Sequence, residues 1–184
     1  MELLVDTVPS PIGDIYLVTD GTHLCALDFV DCDRRFRTLL HKRFETVNLI
    51  PTPNPAGLSD RLRAYFNGDL TSFDDVLVRT DGSKFQQQVW QSLRAIPAGQ
   101  TLSYGELAAR LGHPDACRAV GRTNGLNPIS IALPCHRVIG ANGKLTGYAG
   151  GIERKRWLLH HEGALLPAGA VEPKSETGQL SLLH

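Results

Sequence analysis

Cys135 stands in a run whose residue types could make its sulfur a nucleophile, Pro134-Cys135-His136. A thiol attacks as its thiolate, which is scarce at neutral pH unless the pKa is lowered. A helical turn that begins after Pro134 would direct backbone N–H dipoles at the sulfur and lower that pKa. His136 could take up the thiol proton through a bridging water, and Glu162 could orient the imidazole. Because buried structural cysteines far outnumber reactive ones, this run does not by itself establish an active site.

The other cysteines, Cys25, Cys32 and Cys117, form no CxxC pair with one another or with Cys135. The sequence therefore indicates neither a zinc ribbon nor a disulfide framework. Cys25 and Cys32, with His23 nearby, could bind a metal ion, but packing of small residues in or near a strand is the favoured interpretation. We expect no metal and no cofactor.

Charge is distributed unevenly along the 184 residues, although the formal net charge is zero. Residues 1–83 contain 8 Lys and Arg against 13 Asp and Glu, whereas residues 84–166 contain 10 against 4. A basic half beside an acidic half is typical of a protein that presents a polyanion-binding face. The sequence has no run of about 20 apolar residues and opens without the pattern of a signal peptide. We therefore expect a cytoplasmic protein with no membrane partner.

Residues 1–80 are predicted to form a small α+β domain. Strands are predicted at residues 3–8, 14–19, 24–29 and 76–79, and helices at residues 33–44 and 58–66. The segment Asp20-Gly21-Thr22-His23 is predicted as the hairpin turn between the second and third strands.

Residues 81–166 are predicted to be mostly helical, and the tail at residues 167–184 to be disordered. Helices are predicted at residues 84–96, 104–111, 115–123 and 152–162. Ser83 would cap the first, Ser103 and Glu106 would form a capping box on the second, and Pro114 would take the first position of the third. The two short helices across a Gly-containing turn indicate a helix-turn-helix.

The second helix of this pair carries the residues that could meet a polyanion. Ala116, Ala119 and Val120 could face inward, while Arg118 and Arg122 share one exposed stripe. The alternative is that the two arginines form an ordinary solvated surface. The preceding turn favours contact with DNA.

A resemblance to a known family rests on the segment around the cysteine, Asn127-Pro128-Ile129-Ser130-Ile131-Ala132-Leu133-Pro134-Cys135-His136-Arg137-Val138-Ile139-Gly140. This segment closely resembles the active-site signature of the O6-alkylguanine-DNA alkyltransferases, also called methylated-DNA–protein-cysteine methyltransferases, of the bacterial constitutive type. Further motifs recur in the family order: Phe85-Gln86-Gln87-Gln88-Val89-Trp90, Ile96-Pro97-Ala98-Gly99, Ser103-Tyr104-Gly105, Arg118-Ala119-Val120-Gly121, Gly147-Tyr148-Ala149-Gly150-Gly151 and His161-Glu162-Gly163. The resemblance covers nearly all of residues 84–165 and, more loosely, the N-terminal half.

The resemblance implies an α+β fold with two domains. A small N-terminal ribonuclease-H-like α/β domain, residues 1–80, would precede a helical winged-helix domain with a helix-turn-helix, residues 81–166. It also implies direct-reversal repair, in which the alkyl group of O6-alkylguanine in double-stranded DNA moves irreversibly to Cys135. We expect a monomer, which could bind DNA cooperatively, and one lesion repaired per molecule, because nothing visible would hydrolyse the alkyl–sulfur bond.

The resemblance also implies catalytic roles for particular residues. Cys135 would accept the alkyl group, and His136 with Glu162 would withdraw its proton. Asn127 would brace the turn that carries the site. Tyr104 would rotate the target phosphate and donate a proton to the leaving base.

DNA contacts are implied mainly for the second helix of the helix-turn-helix. The family flips the damaged base out of the duplex, because a stacked base cannot present its alkyl carbon to a sulfur. Arg118 would fill the vacated gap, and small side chains would let the helix enter the minor groove. The residues expected at the DNA are Tyr104, Ala116, Cys117, Arg118, Ala119, Gly121 and Arg122.

The glycine-rich loop 147–151 is expected to line the substrate pocket. It could instead cradle a phosphate, but it lacks the Lys-Ser/Thr of a P-loop. The expected pocket residues are Ser130, Val138, Tyr148, Ala149 and Gly150. Backbone carbonyls of Cys135 and Val138 would bind the amino edge of the base. Ala149 stands where several relatives have serine and Ser130 where some have proline, which predicts a roomier pocket that accepts bulkier alkyl groups and O4-alkylthymine.

Three other functions stay open from the residues. A cysteine hydrolase would need an oxyanion hole, which the sequence does not reveal. A winged-helix regulator would use Cys135 only structurally. A homologue that binds the lesion without transfer is the third, but such relatives replace the acceptor cysteine, which this chain keeps.

Overall fold

The computed structural model describes residues 1–164 and residue 166, so the tail predicted to be disordered, residues 167–184, lies outside the described residues. The strands are β1 (Glu2–Val8), β2 (Ile15–Thr19), β3 (Leu24–Phe29), β4 (Asn48–Pro51), β5 (Leu102–Ser103) and β6 (Val138–Ile139). The helices are α1 (Asp33–Arg43), α2 (Leu58–Phe66), α3 (Lys84–Leu93), α4 (Tyr104–Arg110), α5 (Cys117–Gly125) and α6 (Ile152–His161). The predicted mixture of a strand-rich first half and a helical second half is confirmed.

The first four strands form one sheet in the order β3-β2-β1-β4, antiparallel except for the parallel pair of β1 and β4. The predicted hairpin turn is confirmed, since the Asp20 carboxylate accepts hydrogen bonds from two backbone N–H groups of that turn. The sequence does not predict β4, because four residues that end in proline at a sheet edge carry little strand signal. The strand expected at residues 76–79 is wrong: the structure has only a bridge between Leu24 and Val78 there.

Both faces of this sheet are buried. On one face, α1 packs Phe36 and Leu40 against the strands. The other face joins α2 and the helices of the second half in one continuous core, which includes Leu17, Trp90 and Leu158. The two halves of the chain therefore share a hydrophobic core, and the first half supports the segment that carries Cys135.

The register of β2 and β3 skips Cys25, which makes Cys25 the extra residue of a β-bulge. The bulge turns Cys25 and Ala26 toward α1, while Leu24 and Leu27 face the larger core. Packing within the sheet, the interpretation favoured for this cysteine from the sequence, is therefore confirmed.

The two capping boxes of the second half begin α3 and α4 where the sequence places them. The Ser83 and Ser103 hydroxyls accept the backbone N–H groups of Gln86 and Glu106, whose side chains bond back. The first predicted helix is too long, since α3 ends at Leu93. In residues 1–164, the helices are too short or too polar to cross a bilayer.

The helix-turn-helix is formed by α4 and α5, but α5 begins later than predicted. Pro114 does not start this helix, because a separate turn precedes it, in which the Ala116 N–H donates to the His113 carbonyl at 2.9 Å. Strands β5 and β6 pair in parallel and so tie the start of α4 to the residues that follow Cys135.

Replacing Ser103 with Ala should lower the free energy of unfolding by about 1 kcal/mol, because the Glu106 N–H loses its acceptor. Ser103→Thr keeps a hydroxyl and should retain most of that stability. Urea unfolding followed by circular dichroism measures both. Equal loss in the two variants would contradict the capping role.

Candidate active site

Cys135 begins a single 3-10 turn, Cys135–Arg137, in the connection between α5 and β6. Only 5% of the residue is exposed. Asn124, on the inner face of α5, donates its amide N–H to the Cys135 carbonyl at 3.2 Å. The cysteine is therefore fixed to the helix-turn-helix and almost entirely shielded from solvent.

Asn127 is fully buried and braces the chain that leads to Cys135, in the place that the sequence predicts. Its Nδ2 donates to the Leu133 carbonyl at 2.7 Å, and its Oδ1 accepts the Ile129 N–H at 2.9 Å. These two bonds cross-link the two ends of a tight loop. Within that loop, Ile131 has a φ of +70°, which a β-branched residue rarely adopts and which costs about 1–3 kcal/mol.

Strand β3 fixes the same loop from the other side. The Leu27 N–H donates to the Pro128 carbonyl at 3.1 Å, and the Leu27 carbonyl accepts the Ser130 N–H at 2.9 Å. Ser130 is buried, as a residue of the pocket wall would be. A proline at position 130 could not make the second bond, since it has no N–H.

His136 and Glu162 meet in the core, where His136 Nε2 lies 2.8 Å from Glu162 Oε1 and neither side chain is exposed. Arg137 forms a bidentate pair with the same carboxylate, with Nε to Oε2 and Nη2 to Oε1 both at 2.9 Å. Sequence reasoning missed Arg137. The sequence does contain one indication that Arg137 is buried: it directly precedes the apolar pair of β6, Val138 and Ile139.

The hydrogen bonds among His136, Arg137 and Glu162 determine which of these side chains are charged. Burial alone would raise the pKa of Glu162, but the hydrogen bonds from His136 and Arg137 and the positive charge of Arg137 hold that pKa well below its usual range. Burial lowers the pKa of His136, so the imidazole is neutral at pH 7. If Nε2–H donates to Glu162, Nδ1 carries the lone pair, and Nδ1 has no hydrogen-bond partner among the described residues. His136 can therefore accept a proton at Nδ1.

The thiol of Cys135 differs from the expectation. Burial raises its pKa, although Asn127 and the charges of Arg35 and Lys155 act in the opposite direction. The prediction of a lowered pKa is wrong, because the burial of the sulfur outweighs the hydrogen bond and the charges that favour the thiolate. A thiol with a raised pKa is mostly protonated at neutral pH, so any attack by this sulfur would need a base to remove its proton.

Tyr104 is the first residue of α4, and its hydroxyl donates to the Thr146 carbonyl at 3.1 Å. Burial raises the pKa of this phenol, which keeps it protonated and able to donate. Gly121 of α5 faces the ring: a Cβ there would lie 3.7 Å from it. The structure thus brings these two predicted DNA-contacting residues together.

The exposed face of α5 contains Arg118 and Arg122, as the sequence predicts. The prediction that Ala116 and Ala119 face inward is wrong, since Ala119 is exposed and Ala116 is half-buried. Only Val120 of that group is buried, because the inner face of α5 comprises the positions 120, 123 and 124. Small residues between two cations therefore face outward, a shape that suits close approach to DNA.

Tyr148, Ala149 and Gly150 lie in the loop before α6. A Cβ on Gly150 would lie 2.8 Å from the Phe29 ring and 2.9 Å from the Tyr148 ring, so only glycine fits there. Ala149 is exposed, and its carbonyl lies 3.6 Å from the Cys32 sulfur. The N-terminal sheet domain thus supports the loop that is expected to hold the base.

Lys155 is fully buried on α6 and was missed from the sequence. Its Nζ donates to the Val138 carbonyl at 2.6 Å and lies 3.2 Å from the Thr146 carbonyl. Burial lowers its pKa to about 8. The Val138 carbonyl, expected to bind the base, therefore has one lone pair left for that purpose. The sequence does indicate that Lys155 is buried, because it lies three and four residues before Leu158 and Leu159, which form the inner face of α6.

In the part of the chain that the structure describes, no three His, Cys, Asp or Glu side chains converge as a metal site would require. Cys25 is buried in the sheet, and Cys32 lies at the edge of the loop just described. The two cysteines that could bind a metal ion according to the sequence thus lie in different surroundings.

A nearly buried cysteine, next in sequence to a histidine–carboxylate pair and bonded to a helix-turn-helix, is typical of a DNA-binding protein with a cysteine at its site. Two models of one known protein family match almost all of the described chain. Residues 84–164 match the family described as 6-O-methylguanine DNA methyltransferase, DNA binding domain, and residues 3–80 match 6-O-methylguanine DNA methyltransferase, ribonuclease-like domain. The chain belongs to the 6-O-methylguanine DNA methyltransferase family, and the predicted ribonuclease-like and DNA-binding architecture is confirmed.

Individual relatives agree over nearly the whole length. The methylated-DNA–protein-cysteine methyltransferase of Salmonella typhimurium is 51% identical over 169 residues, which is 90% of this chain and 99% of that protein. The crystal structure of the Mycobacterium tuberculosis O6-methylguanine methyltransferase is 46% identical, with a TM-score of 0.75 over 90% of this chain and 96% of that one. A Mycobacterium tuberculosis structure in complex with DNA is also 46% identical, with a TM-score of 0.75 over 89% and 93% of the two chains.

Replacing Glu162 with Gln should lower the free energy of unfolding by about 3–5 kcal/mol at pH 7, because the buried Arg137 loses its charge partner. The pKa of Glu162 is lower in the folded than in the unfolded protein, so its contribution is present above about pH 4.3 and is lost as the pH falls. The difference between wild type and variant should therefore shrink in acid.

Urea unfolding at pH 7, 5 and 3 measures this difference. Glu45→Gln is the matched control, because Glu45 is exposed; it should change stability by less than about 0.5 kcal/mol. A Glu162→Gln effect that stays constant across these pH values would contradict the assignment.

Proposed function

We propose that the protein repairs alkylated double-stranded DNA by moving the alkyl group of O6-alkylguanine onto the sulfur of Cys135. The observation that carries this proposal is the nearly buried Cys135 next to the buried pair of His136 and Glu162. The names of its relatives and the DNA complex of one similar structure support the same reaction.

The chemistry follows from the donors and acceptors at the site. The Cys135 sulfur attacks the alkyl carbon, a sulfur–carbon bond forms, and the carbon–O6 bond breaks with its electron pair going to guanine. The thiol proton passes through a water to Nδ1 of His136, whose imidazolium Glu162 stabilises. Tyr104 donates its phenolic proton to the leaving base and regains one from water, while His136 releases the thiol proton to water, so both side chains return to their starting forms. The products are restored guanine and S-alkylcysteine.

Access to the sulfur requires the damaged base to leave the duplex, because Cys135 is nearly buried and a stacked base cannot reach it. The exposed face of α5 would enter the minor groove, where Arg118 would occupy the gap left by the base. Arg122 and the small residues of the same face would contact the backbone and the groove floor.

The protein would act once, since an S-alkylcysteine is not hydrolysed by any group placed at the site. A methyl group added at the packed Cys135 side chain should also strain the core, which makes the alkylated form less stable than the free one. We further propose a cytoplasmic monomer that could bind DNA cooperatively.

Incubation with excess duplex that contains O6-methylguanine should add one methyl group to the wild-type protein and none to Cys135→Ser. Intact-mass spectrometry followed by peptide mapping measures the gain and locates it. A methyl group on another residue, or several lesions repaired by each molecule, would contradict the proposal.

The same experiment separates the other functions. A cysteine hydrolase would release product and regain its free thiol. A winged-helix regulator would bind duplex DNA without any change of mass, and a lesion-binding homologue would do so with preference for the damaged duplex.

The pocket residue Ala149 should favour bulky lesions. Ala149→Ser adds a hydroxyl that narrows the pocket and can bond the base oxygen, so it should lower the ratio of the benzyl to the methyl transfer rate by about tenfold, which corresponds to about 1.4 kcal/mol. Single-turnover rates on O6-benzylguanine and O6-methylguanine duplexes measure this ratio. Unchanged ratios would contradict the pocket assignment. Transfer from O4-alkylthymine should fall in the same variant.

A further inference from the structure

Tyr65, on α2 of the N-terminal half, reaches into the site described above. Its hydroxyl donates to Glu162 Oε1 at 2.7 Å, and the residue is only 2% exposed. This bond joins positions 97 residues apart in the sequence. It is a direct contact between the ribonuclease-like half and the carboxylate that holds His136.

The ring of Tyr65 contacts two other aromatic rings. Phe66 packs edge-on against it at 5.3 Å between ring centroids, and His161 does so at 5.2 Å. The His161 ring nitrogen Nε2 also lies 2.8 Å from the Tyr65 carbonyl, which ties α2 to the end of α6 next to Glu162. The hydroxyl therefore has little freedom to leave its acceptor.

Among the described residues, the carboxylate of Glu162 receives four hydrogen bonds. Oε1 accepts from Tyr65, His136 and Arg137, and Oε2 accepts from Arg137. Donors on a carboxylate favour its ionised form. Burial and the nearby Glu162 raise the pKa of Tyr65, so this phenol stays protonated and remains a donor at every working pH.

We propose that Tyr65 is a positioning residue for alkyl transfer: its hydroxyl holds Glu162 ionised and in place, so that His136 keeps the tautomer that accepts the Cys135 proton. The proposal rests on the function proposed above. It makes the N-terminal domain a working part of the site rather than only a support. Without the hydroxyl, Glu162 is a better proton acceptor and competes with His136 for the proton that His136 must hold.

Tyr65→Phe tests the proposal, because it keeps the ring and removes only the hydroxyl. The single-turnover rate of methyl transfer should fall about tenfold, the equivalent of one charge-assisted hydrogen bond of roughly 1.4 kcal/mol. The acid limb of the pH–rate profile should also move to higher pH, since Glu162 loses a donor. Affinity for undamaged duplex should not change.

Tyr16→Phe is the matched control. Tyr16 packs against Phe36 on the face of the sheet covered by α1, at 4.7 Å between ring centroids, in a different core cluster from Tyr65. It should leave the rate and the pH profile unchanged. Incorporation of 3-fluorotyrosine at position 65 gives a stronger donor and should move the acid limb to lower pH, which keeps the test decisive if Tyr65→Phe folds poorly.

The outcomes separate the two proposals. If the wild type transfers no methyl group, the proposed function fails. If the wild type transfers it and Tyr65→Phe matches the wild type in rate and acid limb, the positioning role of Tyr65 is overturned. If Tyr65→Phe and the 3-fluorotyrosine protein both transfer methyl more slowly but keep the wild-type acid limb, Tyr65 only packs the core. That result would also overturn the positioning role.

Discussion

The buried carboxylate of Glu162 is the constraint on which the site depends. It lies at the end of α6, where the helix dipole disfavours a negative charge, and it is removed from water. An ionised group in such a place persists only when its lone pairs are used by good donors. Arg137 supplies charge, and His136 and Tyr65 complete the set. Three distant segments of the chain must therefore come together for this carboxylate to be stable.

Contacts elsewhere in the fold hold the segment that carries Cys135 and His136 in place. The sheet presents β3 to the loop that precedes Cys135, and its bonds at Leu27 hold that loop on one side. Asn127 and Asn124 hold it on the other. The unfavourable backbone at Ile131 is kept in place by this double attachment. A continuous core across both halves explains why the chemistry of the second half needs the first.

Local signals in the sequence predicted much of this architecture. The capping patterns at Ser83 and Ser103 and the hairpin turn at Asp20 each encode a bond between near neighbours, so they can be predicted without knowledge of the fold. The start of α5 was predicted wrongly, because a proline also suits the isolated turn that precedes the helix. Strand β4 was missed because only its partner, β1, makes it a strand.

The site was predictable where a motif carried it and not where tertiary contact decided it. Cys135, His136 and Glu162 could be named from the family resemblance, but the partners Arg137, Tyr65 and Lys155 could not. Each of these is a polar residue buried by contacts between distant segments. The thiol pKa was misjudged for the same reason: local dipoles are visible in the sequence, whereas the loss of water around the sulfur is not.

The proposed alkyl transfer requires a neutral His136 that donates Nε2–H to Glu162 and can take the Cys135 proton at Nδ1. Nitrogen-15 NMR of the histidine rings in the free protein at pH 7 determines this tautomer, with His136→Gln to assign the signals. We expect a protonated Nε2 and an unprotonated Nδ1 for His136. An imidazolium, or a ring protonated at Nδ1 alone, would contradict it.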